Sequence, residues 1–82
     1  MKPKEYKSAA KRYDKLLALL CGNACAKYSR LDYARWGADC GMSESTLRRR
    51  IQTPQDITLG ELRDMARPFE IETEAIHAAL PL

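Results

Sequence analysis

The sequence predicts an all-α domain, and three observations carry that expectation. The first is composition. Val is absent, and Ile and Thr together supply eight residues, against eleven Ala and ten Leu. Strands draw on β-branched and aromatic side chains, whereas Ala, Leu, Lys, Arg and Glu favour helices. The second is period: apolar residues recur at three- and four-residue steps rather than alternating. The third is punctuation, with Ser/Thr-x-x-acid patterns opening apolar segments and Gly or Pro closing them. At 82 residues the chain has room for one core, hence one domain over 1–82. An apolar share of 45% is too high for disorder.

Each element then follows in order. Tyr6, Ala9, Ala10, Tyr13, Leu16, Leu17 and Leu20 share one helical stripe, and Lys4, Lys7, Lys11 and Lys15 lie opposite it. Pro3 suits a first turn and Gly22 a C-terminal cap, so the first helix is placed at about 4–21. Residues 23–29 read equally as a loop, a short helical turn or the start of the next helix. Ser29-x-x-Asp32 has the form of a capping box. The second helix is placed at about 30–40, with Leu31, Ala34, Trp36, Ala38 and Cys40 inward. Gly41 breaks it, and Ser43 caps a third helix at about 44–52, anchored by Leu47 and Ile51.

Thr53-Pro54-Gln55-Asp56 reads as a turn. Thr58-x-x-Glu61 is a second capping box. It opens a helix at about 58–67 with Leu59, Leu62, Met65 and Ala66 inward. Pro68 stops that helix, because it removes a backbone donor. Phe69 and Ile71 pack across the connection to a fifth helix at about 73–80, where Ile76, Ala79 and Leu80 are apolar.

The net charge of +3 says little, but its distribution says more. Residues 1–50 carry twelve basic and five acidic side chains. Residues 51–82 carry two basic and six acidic. That polarity predicts a basic binding face and a differently employed C-terminal part.

The informative stretch runs from Tyr33 to Ile51 and has the pattern of a helix-turn-helix. Gly37 lets two helices cross closely, and Gly41 supplies the left-handed residue of a tight turn. Met42 and Leu47 pin the next helix, and Ser43 caps it. With Leu47 and Ile51 inward, steps of roughly 100° per residue point Arg49 outward. Ser45 and Gln52 fall beside Arg49, Glu44 and Arg48 on one flank, and Arg50 on the other. Arg pairs bidentately with guanine and Gln with adenine, and adjacent arginines add phosphate contacts.

Residues 30 to 80 resemble the lambda-repressor/Cro-like family of small helical DNA-binding domains, carried by phages and bacteria. The stretch Ile57 to Ile71 looks like the family's fourth helix and following apolar turn, and Ile76 and Leu80 match its last helix. The resemblance implies a compact five-helix fold and a sequence-specific transcriptional regulator that reads double-stranded DNA. It implies that Glu44, Ser45, Arg48 and Arg49 enter the major groove. Tyr33, Ser43, Thr46, Arg50 and Gln52 complete the DNA-binding set, with Tyr33, Thr46 and Gln52 at phosphates or neighbouring bases. The chain departs from the pattern where Arg50 occupies a usually apolar place, in a long stretch between the first two helices, and in the long basic first helix.

Other readings of single features are plainer. Trp36, Tyr13, Tyr28 and Phe69 stand at helical spacing and are expected in the core. Cys21, Cys25 and Cys40 lack the close pairs of a zinc site and are expected as buried free thiols, with no metal or other cofactor. His77 has no nucleophile partner and no glycine-rich phosphate loop is present, so no enzyme is expected. The apolar run 16–21 is far short of the ~20 residues a membrane span needs. An odd cysteine count behind a charged N-terminus suggests a cytosolic protein. No receptor for a small-molecule ligand is evident. A homodimer through the C-terminal part, with Ile76, Leu80 and Leu82, is expected. The competing expectation is a phage- or plasmid-encoded protein-binding module: an inhibitor, antitoxin or adaptor.

Overall fold

The computed structural model of the chain describes residues 11–81. Five α-helices occur among them, with no strand: α1 (Asp14–Tyr28), α2 (Tyr33–Cys40), α3 (Glu44–Gln52), α4 (Leu59–Ala66) and α5 (Thr73–Ala79). Short 3-10 turns follow α3 at Pro54–Asp56 and α4 at Arg67–Phe69. The fold class is therefore all-α, as expected.

The first helix differs most from expectation. It runs through Gly22 to Tyr28, so Gly22 caps nothing and residues 23–29 are neither a loop nor part of the next helix. The reason is burial. Leu16, Leu20, Ala24 and Tyr28 stand four apart and are all at or below 4% exposed. Burying that stripe outweighs the roughly 1 kcal/mol helix cost of one glycine. The Asn23 side-chain amide also donates to the Leu19 carbonyl at 2.7 Å. Residues 4–10 of the expected helix, with Tyr6, Lys4 and Lys7, lie outside the described residues. The helix does not run unbroken through 12–13: Arg12 and Tyr13 form a turn, with Tyr13 as the N-cap of α1.

Ser29 does not open α2. It closes α1 in the left-handed region, at φ 69°. The N-cap of α2 is Asp32, whose carboxylate accepts from the Arg35 backbone N–H at 3.2 Å. The second helix thus starts at Tyr33 rather than near 30. Its inward face also shifts: Trp36, Gly37 and Cys40 are buried, while Ala34 and Ala38 are exposed. The bulk of Trp36 sets that rotation. Its ring is fully buried, and its Nε1–H donates to the Met65 carbonyl at 2.9 Å. The apparent long stretch between the first two helices reduces to residues 29–32.

The turn from α2 to α3 forms as its residues require. Gly41 takes φ 77°, and the Met42 N–H donates back to the Gly37 carbonyl at 3.0 Å. A Cβ on Gly37 would stand 2.5 Å from the Met42 carbonyl oxygen, so no side chain fits at that crossing. Ser43 caps α3, accepting from the Thr46 N–H at 3.2 Å. Leu47 is fully buried and Met42 and Ile51 pack at the core edge.

Beyond α3, Thr58 and Glu61 form the expected reciprocal capping box. α4 buries Leu62, Met65 and Ala66, but Leu59 is 77% exposed and not inward. As the first helical residue it lies beyond the edge of the stripe that Leu62 and Met65 define. Pro68 sits in the 3-10 turn that ends the helix, and Phe69 and Ile71 pack against the core across the connection. In and beside α5, Ala79 is buried and Ile76 and Leu80 are half-buried. Aromatic rings close the centre: Phe69 meets Trp36 at 5.5 Å and Tyr28 at 6.1 Å. The Tyr28 hydroxyl donates to Asp39 at 2.6 Å, tying α1 to α2. Leu82 lies outside the described residues.

Candidate functional site

α3 is fixed on one side and open on the other. Leu47 locks its inner face, and the Ser43 cap and the Thr53 bonds to the Arg49 carbonyl close its ends. Ser43, Glu44, Ser45, Arg48, Arg49 and Gln52 line one open depression of about 530 Å³. Six of the nine sequence-predicted site residues therefore share one outward surface. The arrangement presents hydroxyl, carboxylate, amide and guanidinium groups from a rigid backbone. Such groups match the donors and acceptors on base edges.

The remaining three are placed differently. Thr46 is half-buried at the start of α3, its hydroxyl accepting from Ser43 Oγ at 2.8 Å. Tyr33 is half-buried at the first turn of α2, its ring nearly parallel to Trp36 at 6.2 Å and 10°. Burial raises the pKa of its phenol. Arg50 turns away from the outward face. Its Nε–H donates to both oxygens of Glu61, at 2.9 and 3.1 Å, with both side chains under a quarter exposed. The arginine charge is met there by the α4 capping residue. Glu61 is held below its ordinary carboxylate pKa, first by this bond and then by the Thr58 backbone N–H.

Arg48 has two partners. Its Nη2 donates to Glu44 at 2.8 Å, and its guanidinium stands 4.7 Å from the Tyr33 ring centroid. Sequence spacing allows the i,i+4 pair with Glu44. The ring contact depends on how α2 and α3 cross, which spacing alone does not fix. No ion pair of Arg49 occurs among the described residues.

No family model, curated protein or solved structure matches this chain.

Other candidate groups stand apart. Cys25 is exposed, Cys21 half-buried and Cys40 buried, so the expectation of three buried thiols holds fully only at Cys40 and fails outright at Cys25. Its place one residue after Ala24 turns it off the buried α1 stripe. Burial, with Cys25 nearby, pushes the Cys21 thiol up to about 11. His77 is exposed, and no group of three or more His, Cys, Asp or Glu among the described residues is placed to hold a metal. No helix among the described residues is long and apolar enough to cross a membrane. Lys11 and Lys15 are exposed, beside Ala78, Ala79 and Pro81. Leu59 stands in an apolar groove with Leu62, Ile76 and Leu80.

Proposed function

We propose that the chain is a sequence-specific regulator that binds double-stranded DNA, of the lambda-repressor/Cro-like helix-turn-helix type, with α3 in the major groove. The observation that carries this reading is the outward face of α3, where Glu44, Ser45, Arg48, Arg49 and Gln52 stand together on a helix locked from behind by Leu47. A groove about 12 Å wide admits one helix, and such side chains distinguish its base pairs. In this reading Ser43 and Thr46 approach the backbone at the helix N-terminus, where partial positive charge favours phosphate. Arg50 acts indirectly, by fixing the angle between α3 and α4 through Glu61.

A single module of this kind buries roughly 600–1,000 Å². Two copies on half-sites about one helical turn apart supply the rest of the affinity. The C-terminal elements carry that pairing in this reading, with exposed Leu59 joining Ile76 and Leu80. The acidic C-terminal part would then lie away from the phosphates that its charge repels. The same groove favours a second reading, a protein-binding module whose partner covers Leu59.

Charge reversal separates the two. The double variant Arg48→Glu/Arg49→Glu is expected to keep its Tm within a few degrees and to lose duplex binding at low salt. Unchanged DNA affinity in a folded double variant rejects the groove-reading role. Sedimentation that finds a monomer both free and on duplex rejects the paired arrangement.

A further inference from the structure

We infer that Arg48 is the guanine-reading side chain of this face, and that Glu44 and Tyr33 are the positioning residues that aim it; the assignment rests on the DNA-binding reading above. Three consecutive arginines sit in three settings. Arg50 is engaged by Glu61 toward α4. Arg49 is exposed, with no ion pair among the described residues. Arg48 alone is both on the outward face and held at two points, by the Glu44 carboxylate at 2.8 Å and the Tyr33 ring at 4.7 Å. Behind Tyr33, the parallel ring of Trp36 is fully buried and bonded to the Met65 carbonyl. A continuous set of contacts therefore runs from the core to one guanidinium.

Holding an arginine in advance reduces the rotamer freedom it loses on docking. The donor inventory is compatible with base reading. Glu44 engages Nη2, and the guanidinium carbon stands 4.7 Å from the Tyr33 ring centroid, a contact that uses no N–H donor. Of five N–H groups, an adjacent pair remains for one base edge. Guanine presents two acceptors there, O6 and N7, at a spacing that suits a guanidinium fork. Adenine presents an acceptor beside a donor, which repels one prong. Glu44 cannot itself gain from nearby phosphates, since like charges repel. Its contribution lies in direction, not attraction. Arg49, with no such hold, suits backbone contacts that are insensitive to sequence.

The roles separate experimentally. Duplexes are selected from a random library by the wild-type chain, and each guanine is then replaced in turn by 7-deazaguanine, which removes only the N7 acceptor. At one position this is expected to weaken wild-type binding about tenfold. Arg48→Ala should abolish that difference, and Arg49→Ala should retain it while binding all duplexes more weakly. Glu44→Gln should shrink the difference while raising affinity for an unselected duplex. Tyr33→Phe should keep it, and Tyr33→Leu should reduce it, with all variants checked for an unchanged helical spectrum. A difference that survives Arg48→Ala or vanishes with Arg49→Ala overturns the assignment and leaves the DNA-binding reading standing. So does a selected motif without guanine. Failure of the wild-type chain to bind any duplex at low salt overturns both.

Discussion

The two glycines Gly22 and Gly37 occupy helices of the same small domain, and they teach different lessons. Gly37 lies at the α2–α3 crossing, where a Cβ would meet the Met42 carbonyl oxygen at 2.5 Å. Gly22 lies in mid-helix on an exposed surface of α1, and a Cβ there would find nothing within 4 Å. One glycine is required by packing, and the other is tolerated because packing elsewhere on its helix is strong. The α2–α3 region is rigid by construction from close contacts. The middle of α1 is held at a distance, by Leu16, Leu20, Ala24 and Tyr28 on the opposite side.

The comparison breaks most severely if the anchor of the crossing is removed. Trp36→Ala deletes a fully buried ring and its bond to the Met65 carbonyl. It is expected to cost about 3–5 kcal/mol in denaturant unfolding, a large share of a small domain's stability. Gly37→Ala is next. The clash is with backbone, which cannot swing aside, so an expected loss of about 1–3 kcal/mol outweighs the gain in helix propensity. A neutral or stabilising result would show that α2 and α3 can separate at no cost.

A third variant tests the support of α3 from α4. Glu61→Ala removes both the Arg50 pair and one half of the Thr58 capping box, at a cost of about 1–2 kcal/mol. The pH dependence fixes the sign. The folded-state pKa of Glu61 is lowered from an ordinary value of 4.5. Its contribution is therefore full above about pH 4.5 and is lost as pH falls through the lowered value. Glu61→Gln should differ from the wild type in Tm at pH 7, and the gap should narrow as pH falls below about 4.5. A gap that widens on acidification contradicts the role given to the pair.

The smallest effect has the opposite sign. Gly22→Ala should stabilise the chain by about 0.5–1 kcal/mol, because the site is helical, open and exposed. A loss there would contradict the open helical setting of Gly22.

These contrasts also explain what is legible in the sequence. The α3 bounds, the Ser43 cap, the Gly41 turn and the Thr58–Glu61 box are written in residues three or four apart, and each is readable. The end of α1 is not. Gly22 is a local stop signal, and only the depth at which Ala24 and Tyr28 are buried overrides it. Ser29 misleads for the same reason, since its pattern fits a start while its backbone closes the preceding helix. At the candidate site, helical spacing puts Ser45, Arg48, Arg49 and Gln52 on one face, where they stand. It cannot show Arg50 meeting a carboxylate eleven positions away, or Tyr33 lying under Arg48, because both depend on the angle between helices. Leu59 defeats the same spacing because a stripe has no edge until its neighbours are known.

The central claim, that the outward face of α3 reads duplex DNA, is tested most directly by selecting bound fragments from a random duplex library with the wild-type chain. The expected result is enrichment of a guanine-containing half-site, repeated as a palindrome with centres about one helical turn apart. Recovery of no enriched sequence at low salt from the folded chain would contradict it.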